Sequence, residues 1–214
     1  MNGHASLGRL LSHAQTKKLI DAYDDAALYR STIAMARHNF GLGEYKYFSY
    51  PLPDVIADLR EGLYPLLARI ANRWAKRLGA PSYPVTHKGL IAKCAAAGQA
   101  RPTPLILRYG EGDYNCLHQD IYGELAFPLQ VVILLSDPEK DFTGGEFVLT
   151  EQRPRMQSRA RVVRIRAGEA VVFAVNERPV KGRRGDYRVK TRHGISEIRR
   201  GERYALGIIF HDAA

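Results

Sequence analysis

The sequence predicts an α+β fold: a double-stranded sheet sandwich, or jelly roll, backed by helices. Three observations carry that expectation. Apolar residues recur at helical spacing in the first hundred residues. The hydrophobic period changes to two from about Pro104. Turn residues then divide the second half into seven or eight short β-rich runs. Helical spacing followed by alternating runs marks helices laid on sheets. With 214 residues and 45% hydrophobic composition, the chain suits a single domain over residues 1–214 with a real core. Residues 1–103 read as mainly helical support and lid, and residues 104–214 as the jelly-roll core.

The first helical signal is "AQTKKLIDAYDDAAL". The stronger one starts at "PLPDVIADLREGLYPLLARIANRWAKRLGAP", where Val55, Leu59, Leu63, Leu66, Leu67, Ile70, Trp74 and Leu78 form one stripe. Pro53 and Asp54 suit its start and Gly79 its end. Pro65 predicts a kink or a split. Before it, "GLGEYKYFSYPLP" gathers Tyr45, Tyr47, Phe48 and Tyr50 among glycines. This cluster reads as a lid packed on the sheet, or as a surface that stacks on a base or clamps a peptide. The expected strands are "PLILRY", "LQVVILLS", "EFVLTE", "RVVRIR", "EAVVFAV", "YRVKTRH" and "RYALGIIF", most of them separated by turns such as "YGEGD" and "DPEKDFTGG".

No stretch approaches the ~20 apolar residues of a membrane span. The N-terminus lacks the long apolar run of a secretory signal, and Cys94 and Cys116 make no disulfide framework. A reduced, cytoplasmic setting is the expectation. The net charge of +10 is concentrated: residues 153–203 hold sixteen Lys and Arg against five Asp and Glu, so the remainder is close to neutral. Focused charge of this kind suits an anionic partner such as nucleic acid, or forms a solvated basic hairpin.

"YNCLHQDIYG" places His118 and Asp120 two residues apart, on one face if the segment is extended. Of the seven histidines only His193 and His211 follow the strand region's first half, so only they could close a site from a later strand. His193 ends "DYRVKTRH", sharing a face with Tyr187, Val189 and Thr191, while Arg188, Lys190 and Arg192 share the other. Two histidines and a carboxylate match the facial triad of non-haem Fe(II) oxygenases, although zinc hydrolases also mix such ligands. In "RYALGIIFH", Arg203 is followed on its own face by Ala205 and Gly207, which leaves space before a guanidinium suited to receive a carboxylate. Tyr204, Leu206, Ile208 and Phe210 fall on the opposite, core-facing side. Gln119, between His118 and Asp120, and Tyr122, just after them, flank the candidate metal site as candidate substrate contacts, and Cys116 reads as a small packing residue.

"LRYGEGDYNCLHQD", "LLSDPEKDFTGGEF" and "RHGISEIRRGERYALGIIFH" together resemble the Fe(II)/2-oxoglutarate-dependent oxygenase superfamily, most closely its prolyl-4-hydroxylase-like branch. The resemblance covers roughly Pro104 to His211. It implies a double-stranded β-helix in which His118, Asp120 and His193 bind iron. It also implies that Arg203 pairs with the distal carboxylate of 2-oxoglutarate, with Tyr109 donating its hydroxyl to the same group. The implied cofactors are Fe(II), 2-oxoglutarate as cosubstrate and O2, with succinate and CO2 released as a C–H bond is hydroxylated. The stretch 176–190 is longer and more basic than the family pattern, and the first hundred residues match no known substrate-binding region.

Three functions follow. The first is a dioxygenase hydroxylating a protein, peptide or small molecule, favoured by the "GGEF" turn and the motif layout. The second is a dioxygenase oxidising or dealkylating a nucleobase in DNA or RNA, favoured by the basic stretch 153–203. The third is a metal-free jelly-roll module with an anion pocket at Arg203.

Overall fold

The computed structural model describes residues 3–121, 123–183 and 185–214. In chain order the elements are β1 (His4–Arg9), α1 (His13–Asp21), β2 (Tyr29–Ala34), β3 (Glu44–Phe48), α2 (Asp54–Leu78) and α3 (His87–Ala96). The second half runs β4 (Leu105–Tyr109), β5 (Asn115–His118), β6 (Leu129–Leu134), β7 (Phe142–Gly144), β8 (Phe147–Gln152), β9 (Arg159–Val163), β10 (Glu169–Ala174), β11 (Glu177–Gly182), β12 (Gly185–Ile195), β13 (Ile198–Gly201) and β14 (Arg203–Ile208).

Two antiparallel sheets face each other. The larger has the order β1-β10-β6-β14-β4-β3-β2. The smaller has the order β11-β12-β8-β9, with β5 pairing the far part of β12. A short β13-β7 pair closes one end. Between the sheets lies a core that includes Tyr109, Val132, Leu134, Phe147, Phe173, Ile195 and Ala205. The outer face of the large sheet carries Ile106, Val131, Ile133, Leu206, Ile208 and Phe210 into a second core under the helices. Mostly antiparallel sheets with few helices are what the period of two predicts.

The first 103 residues depart from the helical expectation. They also supply β1, β2 and β3, all in the large sheet. The aromatic cluster forms β3 rather than a lid over the sheet: Tyr45 pairs with Leu107 and Tyr47 with Leu105. The alternation of Tyr45 and Tyr47 with Glu44 and Lys46 is the strand signal, and the aromatic clustering among glycines masked it.

Helix α2 is continuous through Pro65. Both Pro65 and Glu61, whose carbonyl loses its helical partner, are exposed, so water replaces the missing bond. Its deepest face is Ile56, Arg60, Tyr64, Leu67, Ala68, Ala71 and Ala75, with Val55, Leu59, Leu63, Ile70 and Trp74 packed alongside. Leu66, expected in the stripe, is exposed. The alanines let the helix approach the sheet closely, and Arg60 is drawn in by a buried partner, Asp212. Gly79 ends the helix in the left-handed region, φ 65°. No helix among the described residues is long and apolar enough to cross a membrane.

Candidate active site

Strand β12 brings the site together. Its inward residues Val189, Thr191 and His193 are buried, while Arg188, Lys190 and Arg192 are exposed. His193 pairs with His118 of β5 across one edge and with Leu149 of β8 across the other. Asp120 lies two residues beyond the end of β5, not within it. Gln119 holds that extension: its Nε2 donates to Asn176 Oδ1 at 2.7 Å and to the Thr191 carbonyl at 2.8 Å. Tyr122 lies outside the described residues.

One donor atom from each of His118, Asp120 and His193 lies within 4.8 Å of the others. Each histidine Nε2 faces its own Asp120 oxygen, at 3.3 Å for His118 and 3.4 Å for His193. His118 Nδ1 lies 2.8 Å from the Cys116 carbonyl. Donation there puts the proton on Nδ1 and leaves the Nε2 lone pair free for a metal. Burial acts on all three groups. It would raise the Asp120 pKa, but bonds and charge from the two histidines hold it well below the usual range. It lowers His193, with Asp120 opposing. For His118 burial is outweighed by Asp120 and the Cys116 carbonyl, and the pKa is raised. An ionised carboxylate with two neutral imidazoles is a donor set for a divalent transition metal. His211, the other candidate by elimination, is not in the cluster: its Nδ1 accepts from the Phe127 N–H at 3.1 Å. Cys116 is exposed rather than packed, and it too is outside the cluster.

A cavity of about 200 Å³ opens in front of these donors. Arg203, Ala205 and Gly207 all line it, the face predicted from β14. Arg203 is 2% exposed, and its Nε and Nη1 have no hydrogen-bond partner. Burial lowers its pKa to about 10, with neighbouring Tyr109 opposing, so it remains a cation at neutral pH. A buried guanidinium with free N–H groups calls for an anion. Tyr109 pairs with Arg203 across β4 and β14, and its hydroxyl accepts from Asn115 Nδ2 at 3.1 Å. That leaves the Tyr109 proton to be donated into the cavity. A divalent metal and a keto acid with a distal carboxylate therefore fit the residues present.

The "GGEF" turn explains how Arg203 is held. Gly144 and Gly145 both have positive φ, 77° and 61°. A Cβ on Gly145 would lie 2.4 Å from Ile198 Cδ1 and 2.9 Å from Arg203 Cδ, so only glycine permits this close approach.

Several lining residues carried no signal of their own in the sequence. Asn115 is one. Phe173 is another, with its ring 4.7 Å from that of His193. Tyr45 and Tyr47 line the cavity from β3, with Arg30 stacked 4.4 Å over Tyr47. Alternation within "EYKYF" could have placed the two tyrosines on one face.

The basic stretch is partly consumed internally. Arg178 pairs with Glu151 and Arg188 with Glu177. Arg155, Arg159, Arg183, Lys190 and Arg192 are exposed and in no ion pair among the described residues. Arg184 lies outside them. The exposed β12 cations point away from the cavity, because the period of two that turns His193 inward turns them outward. The β8–β9 and β11–β12 turns nevertheless extend past the His193–Leu149 pair, in the direction in which β5 runs on to Asp120.

Residues 43–213 match a family model described as an oxygenase catalysing oxidative methylation of damaged DNA. Two strains of Mycobacterium tuberculosis hold similar proteins, MT2286 and Rv2227, both described as uncharacterized. Each is 54% identical over 168 residues, covering 78% of this chain and 72% of the relative. Among solved structures, a prolyl hydroxylase from Trichoplax adhaerens in complex with a hypoxia inducible factor peptide is similar at a TM-score of 0.59 and 15% identity, covering 99% of this chain and 84% of that one. A Pseudomonas putida prolyl-4-hydroxylase is similar at 0.56 and 15%, covering 100% and 94%. At such identity these two speak for the fold alone. The family model spans most of the chain, and on it the chain belongs to this oxygenase family.

Proposed function

We propose that this oxygenase oxidises a nucleobase in DNA or RNA, removing an N-alkyl group by hydroxylating its first carbon. In this reading His118, Asp120 and His193 hold the iron, and Arg203 and Tyr109 hold the distal carboxylate of 2-oxoglutarate. The strands that carry them form a double-stranded β-helix. The observation that carries the substrate class is the cavity wall. Tyr45 and Tyr47 stand 5.4 Å apart on the face that opens before the metal donors. The rings meet edge to face at 88°, with Arg30 over Tyr47, so a planar base would stack on one ring and meet the edge of the other. The exposed cations of the β8–β9 and β11–β12 turns and the matched family's description support the same reading. A peptide substrate rests on fold likeness, which carries no substrate, and a metal-free binding module gives way to the enzyme family.

When bound, the iron and 2-oxoglutarate supply the oxidising power for inserting oxygen into a C–H bond, with succinate and CO2 as co-products. The chain's own work is placement. Asp120 and the His118–Cys116 bond fix the donor tautomer. Arg203 and Tyr109 orient the carboxylate. Phe147, Phe173 and Leu107 keep the walls dry.

The test is succinate release, with formaldehyde measured in parallel. Single-stranded oligonucleotides carrying an N-methylated base should stimulate both, and unmodified strands should not. Stimulation by proline-containing peptides with none by any oligonucleotide would reverse the assignment.

A further inference from the structure

We propose that Gln130 reads the edge of the substrate base; this rests on the nucleobase reading above. Gln130 interrupts an otherwise apolar strand, "LQVVILL". Leu129, Val131 and Ile133 of β6 face the helices, while Val132 and Leu134 face the space between the sheets. Gln130 shares that second face and lines the cavity of His118, Asp120 and His193. It is 5% exposed, and its Nε2 has no hydrogen-bond partner. Its cross-strand neighbour on β10 is Phe173, the residue whose ring lies against His193. The amide is therefore one residue pair away from a metal donor.

A buried polar group without a partner is costly, and a methionine or leucine would fill the same space at no such cost. A ligand that supplies the missing bonds resolves this. The donors of the cavity's other amides are engaged: Gln119 Nε2 is taken by Asn176 and Thr191, and Asn115 Nδ2 by Tyr109. Among the described residues Gln130 is the carboxamide whose buried N–H donor is left free, whereas Asn115 lacks a partner only at its Oδ1. A carboxamide presents a donor and an acceptor side by side in one plane, which complements the donor and acceptor edge of a nucleobase. One tyrosine ring of β3 then supplies the stacking face, and Gln130 the edge contact.

The test uses protein loaded with Fe(II) and 2-oxoglutarate without oxygen. Binding is measured to fluorescent single-stranded oligodeoxynucleotides that carry one N-methylated base or an abasic residue at the same place. The wild type should prefer the base by about tenfold or more. Gln130→Met should lose most of that preference and leave abasic binding and 2-oxoglutarate affinity unchanged, with an equal or higher melting temperature. Gln130→Glu, which keeps the shape and loses the donor, should lose it likewise. A preference retained in both variants overturns the role of Gln130 and leaves the nucleobase reading standing. A weakened 2-oxoglutarate affinity, or a lower melting temperature in both variants, overturns it by assigning the amide to the cosubstrate or to the fold. A wild type that does not distinguish base from abasic site overturns both readings.

Discussion

At the scale of single residues, Arg203 shows how chemistry is written into the chain. A guanidinium at the start of a strand, with Ala205 and Gly207 next on its face, predicts a cation with space before it, and the cavity has that form. Arg203→Ala should leave iron binding intact and weaken 2-oxoglutarate by on the order of 3 kcal/mol, about a hundredfold, because a charge-assisted bidentate pair is lost. Tyr109→Phe should cost about 1 kcal/mol, the worth of one neutral hydroxyl. Anaerobic titration of the keto-acid charge-transfer band reads both. Unchanged affinity in Arg203→Ala would remove it from the role. Spacing and strand parity anticipated that His118, Asp120 and His193 converge and that Arg203 faces the same space. Asn115 and Gln130 were not legible, since a lone amide has no period, and only the packed structure shows which amides are left without partners.

At the scale of elements, legibility followed hydrophobic contrast. Strands β6, β10, β12 and β14 alternate or run apolar, and all were read from the sequence. β1, β2, β11 and β13 are short or edge strands with mixed polarity, and the pairing that creates them is non-local. The period of two in β12 has a functional consequence. It sends His193 inward and Lys190 and Arg192 outward, so any nucleic-acid backbone they hold runs over the outer face and tips of the small sheet rather than through the cavity. Arg183→Glu with Arg192→Glu should weaken oligonucleotide binding and flatten its dependence on salt, since fewer counter-ions are released. The metal and 2-oxoglutarate titrations should be unaltered, because neither side chain reaches that space. An identical salt slope in the double variant would make the turns a solvated basic surface.

At the scale of the whole molecule, the helical layer and the catalytic sheet are joined by a buried clasp. Arg60 of α2 donates to the carbonyls of Ile209, Phe210 and His211 and to Asp212 Oδ1 at 2.7 Å. These acceptors continue directly from β14, the strand that carries Arg203. The clasp also encloses His211, which is 2% exposed and accepts from the Phe127 N–H through Nδ1. Burial first, and the Arg60 charge second, lower its pKa to about 4. In the unfolded chain a histidine titrates near 6.5. The folded pKa is thus the lower one, and the unfolded state takes up the proton first as pH falls. Stability from His211 is complete above about pH 6.5 and is lost progressively toward pH 4, to a total of about 3 kcal/mol. Urea unfolding of the metal-free protein at steps between pH 7 and pH 4 should show this fall. His211→Gln keeps an acceptor for Phe127 and cannot take the proton, so its stability should decline less over the same range. Carboxylates also titrate there, but they do so in both proteins and cancel in the difference. Parallel pH profiles for the two proteins would mean that His211 protonates without strain, and that the clasp is held by Arg60 and Asp212 alone.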